Sequence, residues 1–172
     1  MILFESQRLL VKPYTAADGD AFFRFHGDEE VMRFIRAPKT REQTDAFLLE
    51  NLQFYHDHPG IGRFAVIEKA TGEYIGSFSL LPLEDTVNYH LGYGFLQHAW
   101  GKGYATELVE ASIEYTFRAT KRDIIMAITL PEHIASQKVL LKAGFVESGT
   151  IIQEGENLKM FCLQHKKESS LP

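Results

Sequence analysis

The sequence predicts an α+β fold, and three features carry the prediction. Three β-like runs follow one another at residues 63–68, 74–83 and 88–96, parted by turn residues at 69–72 and 82–86. A glycine turn, Gly101-Lys102-Gly103, then opens a helix over 104–120, which crosses to an apolar strand at 123–129. A strand reached through a helical crossover pairs in parallel with the one before it. Two further runs, 145–153 and 158–165, form a closing hairpin through Glu154-Gly155-Glu156-Asn157.

The elements follow in order. Residues 8–13 are β-like and Pro13 ends them. Thr15 caps a helix entry, and Gly27 divides the next stretch into two helices with Phe22, Phe25, Val31, Phe34 and Ile35 on apolar faces. Core packing is the expected use of these rings, with a ligand cleft as the alternative. Thr40-Arg41-Glu42-Gln43 fits a capping box, so a helix runs from 41 to about 55 with Phe47, Leu48, Asn51, Leu52 and Tyr55 at helical spacing. His56-Asp57-His58 follows, and with no third partner in view it reads as a helix end and not as a metal site. Ala105, Leu108, Val109, Ser112, Ile113 and Thr116 form the buried stripe of the 104–120 helix. A last helix over 134–143 stops at Gly144.

The bulk numbers bound the function. A chain of 172 residues with 45% hydrophobic residues, 13 Phe, 7 Tyr and 1 Trp is expected to form one domain over 1–172, with a core at about 5–165 and a frayed tail at 166–172. A net charge of −5 argues against a general nucleic-acid surface and leaves room for an amine substrate. A lone cysteine, Cys162, excludes an intrachain disulfide and fits a reducing compartment. No charged leader and no run near the ~18 apolar residues of a membrane span occurs. The expected location is cytoplasmic, with no membrane partner.

The chemistry centres on residues 91–107, LGYGFLQHAWGKGYATE. Two glycines let the backbone approach a ligand. The first helical turn then presents unpaired N–H groups and the positive end of its dipole, which together suit a phosphate or pyrophosphate. A strand-to-helix connection that needs glycine only for geometry is the alternative. No Walker loop is present, and Gly101-Lys102-Gly103 followed by Tyr104, Ala105 and Thr106 does not complete a Rossmann fingerprint.

His98-Ala99-Trp100-Gly101-Lys102-Gly103 resembles the acyl-CoA motif Q/R-x-x-G-x-G/A of the GNAT N-acetyltransferases, with His98 in the Gln/Arg position. The continuation to Glu107 is similar to the branch of ribosomal-protein alanine (Rim-type) acetyltransferases. His133-Ile134-Ala135-Ser136 with Leu141-Lys142-Ala143-Gly144-Phe145 is similar to N-x-x-S…K-x-G-F, His133 replacing Asn. Glu5 to Leu10 and Ile75-Gly76-Ser77 also resemble that branch. The resemblance implies a mixed, mostly antiparallel sheet of about seven strands, splayed at the centre and flanked by about four helices. It also implies acetyl-CoA as cosubstrate, no metal, a primary amine as acceptor (a protein N-terminus or a small molecule) and a homodimer.

By the same resemblance, the pantetheine arm pairs with the edge of the strand that ends at Phe95. The backbone of Trp100, Gly101, Lys102, Gly103, Tyr104 and Ala105 takes the pyrophosphate. Lys102 and the Thr106 hydroxyl are further phosphate candidates, against a solvated lysine and a local backbone bond. His98 adds a hydrogen bond or serves only the turn. His90 stands where relatives carry a glutamate base, and an imidazole can do that work near neutral pH; facing solvent is its alternative. Amide groups of Gly92 or Tyr93 suit the carbonyl oxygen if the strand bulges. Leu140 stands where many members have a tyrosine acid, which leaves Ser136 to hydrogen-bond the sulfur, or simply to cap a helix. His133 contacts a pantetheine amide or nothing. Substrate choice is assigned to the N-terminal helices and residues 69–86. A non-catalytic CoA-binding module is the alternative function.

Overall fold

A computed structural model describes residues 1–166, and the remainder of the predicted tail lies outside the described residues. One sheet of eight strands runs in the order β1-β2-β3-β4-β5-β6-β8-β7. The strands are β1 (Phe4–Glu5), β2 (Leu9–Pro13), β3 (Gly62–Glu68), β4 (Tyr74–Pro82), β5 (Tyr89–Phe95), β6 (Ile124–Thr129), β7 (Val146–Gln153) and β8 (Glu156–Gln164). Five helices flank it: α1 (Gly19–His26), α2 (Glu29–Met32), α3 (Arg41–Asp57), α4 (Tyr104–Thr120) and α5 (Ile134–Lys142). The strand count exceeds the expected seven because two-residue β1 is too short to leave a periodic signal, and the fifth helix is the short α2 that the break at Gly27 separates from α1.

Local chemistry fixes the element ends. Thr15 and Thr40 both close capping boxes, with Asp18 and Gln43 reaching back. The β7–β8 turn is tighter than predicted: Glu154 (φ 50°) and Gly155 (φ 79°) alone make the reversal, the geometry of a two-residue hairpin turn.

Strand alternation sorts the core into two layers. Leu9, Val11, Phe64 and Val66 meet Leu108 and Val109 of α4 on one side. Ala65 and Tyr74 meet Phe22, Phe25, Val31 and Leu48 on the other, beneath α1 to α3. Phe34 is half-buried and Ile35 is exposed, in place of the apolar helix face predicted for them, because α2 stops at Met32.

The sheet parts at its centre. β5 and β6 are parallel, as the crossover predicts, but pair only at Tyr89–Ile125, His90–Met126 and Leu91–Ala127. β5 continues to Phe95 and β6 to Thr129, so the two strands part beyond Leu91 and Ala127. Each outer edge stays paired, β5 with β4 up to Phe95 and β6 with β8 up to Thr129. The splay is therefore local.

Candidate active site

The glycine loop stands where β5 leaves the sheet. A 3-10 turn at Gln97–Ala99 leads to Gly101 (φ 73°) and Gly103 (φ 79°), both in the left-handed region that side chains resist. A Cβ at Gly101 would meet nothing within 4 Å, so its need for glycine is conformational and the space beside it is open. The first helical bond here runs from the Glu107 N–H to the Gly103 carbonyl at 3.2 Å. The N–H groups of Gly101, Lys102, Gly103, Tyr104, Ala105 and Thr106 have no acceptor among the described residues. Six consecutive free amides leading into a 17-residue helix are an arrangement that suits an anion.

The N-terminal segment braces this loop from behind. The Arg8 guanidinium donates to Glu107 at 2.7 Å and to the Lys102 carbonyl at 3.0 Å, and lies 4.4 Å from the Tyr104 ring centre. The Ser6 hydroxyl and the Arg8 amide both donate to the other Glu107 oxygen. Partial burial works against the Glu107 carboxylate, but these donors hold its pKa below the usual value. The Tyr104 hydroxyl donates to Glu68.

The remaining predicted loop residues fall into place around it. Trp100 is half-exposed and its indole N–H donates to the Phe95 carbonyl at 2.7 Å, tying the loop to the end of β5. Phe95 itself is buried against Tyr104. Lys102 is exposed, and the Thr106 hydroxyl has no partner among the described residues. His98 turns to Glu73, with its Nε2 at 3.4 Å from the carboxylate.

A cavity of about 290 Å³ opens at the gap, with Gly92 and Tyr93 on one wall and Thr129, Leu130, His133 and Ser136 on the other. The Ser136 hydroxyl is 2.8 Å from the Tyr93 hydroxyl, and Tyr93 also donates to the Ser136 carbonyl at 3.3 Å. Burial pushes Tyr93 up to about 12, Ser136 opposing, so the phenol keeps its proton at neutral pH. Leu140 is fully buried in the core, and the tyrosine hydroxyl beside Ser136 is that of Tyr93, from β5. Strand alternation carries the signal that Tyr93 and Leu91 share a face, but not that this face meets Ser136, 43 residues away. His133 stacks on Phe34, with ring centres 4.3 Å apart at 11°, and joins the start of α5 to the loop after α2.

His90 lies on the opposite face of β5, not in solvent. It lines the cavity, its Nδ1 has no partner, and burial, then Arg63 and Arg36, lower its pKa to about 4. It is a neutral imidazole with a lone pair available at neutral pH. Phe25, Phe34 and Ile35 line the same space, so the aromatic stretch serves the cavity as well as the core. His26, Arg36 and Arg63, which no motif or spacing marks, also line it. No cluster of three or more metal-ligating side chains occurs among the described residues.

Comparison with known proteins follows this geometry. The family model for the acetyltransferase (GNAT) domain matches residues 8–146. An uncharacterized N-acetyltransferase of Bacillus subtilis (strain 168), YoaA, is 27% identical over 154 residues, covering 88% of this chain and 86% of its own. The crystal structure of a GNAT-family acetyltransferase from Bacillus anthracis superposes with a TM-score of 0.80 at 25% identity, covering 95% of this chain and 98% of that one. RimL, a ribosomal L7/L12 α-N-protein acetyltransferase solved in complex with coenzyme A, gives 0.79 at 15% identity over 95% and 98%, a likeness of fold alone.

Proposed function

Because the chain belongs to the GNAT acetyltransferase family, we propose that it moves an acetyl group from acetyl-CoA to a primary amine by direct attack in a ternary complex. The observation that carries this reading is the row of free amides at 101–106, set beside a gap in the sheet that can admit an extended thioester arm. The amides suit the diphosphate of the coenzyme. The unpaired edge of β5 beyond Leu91 suits the amides of its pantetheine.

The residues then divide the proton work between two faces of β5. A neutral amine attacks the thioester carbonyl carbon, and the carbon–sulfur bond breaks as the new carbon–nitrogen bond forms. On the α1–α3 side, His90 takes the proton released by the amine, directly or through water. On the α4–α5 side, the Tyr93 hydroxyl gives its proton to the departing thiolate, and Ser136 holds the phenol in position at 2.8 Å. β5 pairs with β4 without a bulge, so the Gly92 amide is directed at β4 and the Tyr93 amide, on the gap side, takes the carbonyl oxygen as charge builds on it. The scheme uses no metal and no covalent enzyme intermediate. Cys162 lies in β8, paired with Met126, away from the loop.

The setting we propose is the cytoplasm, in keeping with the single free thiol. The Rim-type resemblance adds a homodimer, which the mass in solution would read. The test of the main reading is free-thiol release from acetyl-CoA across a panel of amines, paired with calorimetric titration of acetyl-CoA. Saturable coenzyme binding with amine-dependent thiol release is expected. Binding without release on every amine would instead favour the non-catalytic module, and absence of binding would overturn both.

A further inference from the structure

The acceptor half of the cavity holds two arginines that no carboxylate contacts directly, although Glu154 and Glu156 line the same cavity from the β7–β8 turn. Arg63 projects from β3 and lies 4.4 Å from the Phe47 ring centre, with Arg36 over the same ring at 5.4 Å. Both line the cavity, and neither has an ion pair within 4 Å among the described residues. The carboxylates that act on them from further off are Glu50 for Arg63 and Glu154, on the β7–β8 turn, for Arg36. Lys39 adds a third cation over Phe47 at 4.7 Å. Beside them His26 is 2% exposed with both ring nitrogens unpartnered, and the buried Nδ1 of His90 is unpartnered as well. A buried polar nitrogen without a hydrogen bond is uncommon and calls for an explanation. Arg36 is exposed, but Arg63 is half-buried, and a half-buried guanidinium with no counter-ion in contact is costly unless a ligand supplies one.

We propose that the acceptor amine also carries a carboxylate, which Arg63 and Arg36 hold on the α1–α3 face of β5 with its amine directed past His90 to the gap. This rests on the acetyltransferase reading. A planar guanidinium takes a carboxylate through two parallel N–H bonds, and the orphan imidazoles offer further donors to the same anion. The arrangement disfavours acceptors that are cations throughout, such as polyamines and aminoglycosides, which would bring like charge against Arg36, Lys39 and Arg63. It also links binding to chemistry. Both arginines depress the proton affinity of His90, and an anion seated between them offsets that effect, so the base strengthens when the correct acceptor arrives.

A second cavity of about 390 Å³ adjoins the first, walled by Glu29, Glu30 and Arg33 and sharing Ile35, Arg36, Leu130 and Glu156 with it. A carboxylate can therefore come from a free α-amino acid or from an acidic side chain next to the amine of a peptide. The experiment uses the acetyl-CoA-bound protein with two matched series: the L-α-amino acids against their primary amides, and short peptides with Asp or Glu at the second position against Asn or Gln. Both thiol release and thermal shift are read. The carboxylate member of at least one series is expected to exceed its neutral partner at least about tenfold in kcat/KM, and to raise the melting temperature where the partner does not. Arg63→Met should bring that ratio towards unity while leaving acetyl-CoA affinity intact. Arg36→Met, on an exposed loop, gives the same readout if Arg63→Met fails to fold. The series that responds identifies the source of the carboxylate. Equal or greater turnover of the amides or of spermidine would overturn the proposal while leaving the acetyltransferase reading in place. If no amine releases thiol, the enzyme reading falls, and the thermal-shift arm still decides: carboxylates that stabilise no more than their amides overturn the anion site.

Discussion

Acidification should destabilise this protein in part through His26, and replacing that one ring should remove its share of the effect, leaving that of His90. His26 packs among Phe22, Phe25 and Phe47 at centroid distances of 4.2, 5.0 and 5.2 Å, with neither nitrogen partnered. Burial, then the nearby Arg36, Arg63 and Lys39, lowers its pKa from 6.5 to about 3. The folded value lies below the unfolded one, so the unfolded chain takes up the proton first as the pH drops. Stability present above 6.5 is therefore lost progressively towards 3. The limiting slope is about 1.4 kcal/mol per pH unit, and integration from 6.5 to about pH 5 gives a loss of roughly 1.6 kcal/mol from this residue alone. Most carboxylates titrate below that window. The assay is urea unfolding at a series of pH values for the wild type and for His26→Leu, which keeps the volume but cannot take a proton. Packing differences shift the variant's absolute stability, so the comparison is of slopes, and the wild-type curve should fall relative to the variant's by the stated amount. If the two curves stay parallel from neutrality to about pH 5, the reasoning about a neutral, cation-flanked histidine is refuted.

Three further outcomes follow from the site. Tyr93→Phe should lower kcat about 10- to 100-fold with KM for acetyl-CoA little changed, as for the loss of a general acid, whereas an equal rise in KM would point to packing alone. Gly101→Ala should lose about 1 kcal/mol in urea unfolding from the positive φ alone, since its Cβ meets nothing, and should also weaken acetyl-CoA in a calorimetric titration; an unchanged affinity would remove the loop from the coenzyme site. Glu107→Gln should lose at most about 1 kcal/mol, because Arg8 is 43% exposed, and that loss should shrink at high salt in parallel urea titrations.

Local elements were legible in the sequence because their signals are local. The N-cap at Thr15, the capping box at Thr40, the span of α4 and the glycine loop all follow from residues a few positions apart. The parallel β5–β6 pair followed from the crossover helix. Short pieces escaped: β1 has two residues, and the β7–β8 turn puts a glutamate at φ 50°, where sequence rules look for Asn or Gly. The site was legible only where it is made of backbone. Its side-chain half assembles across long separations, with Tyr93 meeting Ser136 from 43 residues away and Arg36 meeting Arg63 over the ring of Phe47. Only the folded sheet brings them together. The neutral state of His90 likewise depends on arginines that no spacing rule attaches to it.

The parting of β5 from β6 has a consequence for how the molecule breathes. A sheet ordinarily hides its raw borders at the outside, but here two of them face each other in the interior, along Gly92 to Phe95 and from Ile128 to Thr129. The halves β1–β5 and β6–β8 are thus hinged at three residue pairs, like covers on a short spine. Amide exchange in the unliganded protein should be fastest along these two inner borders and slow when a guest occupies the slot, so that the visitor acts as the missing ninth strand.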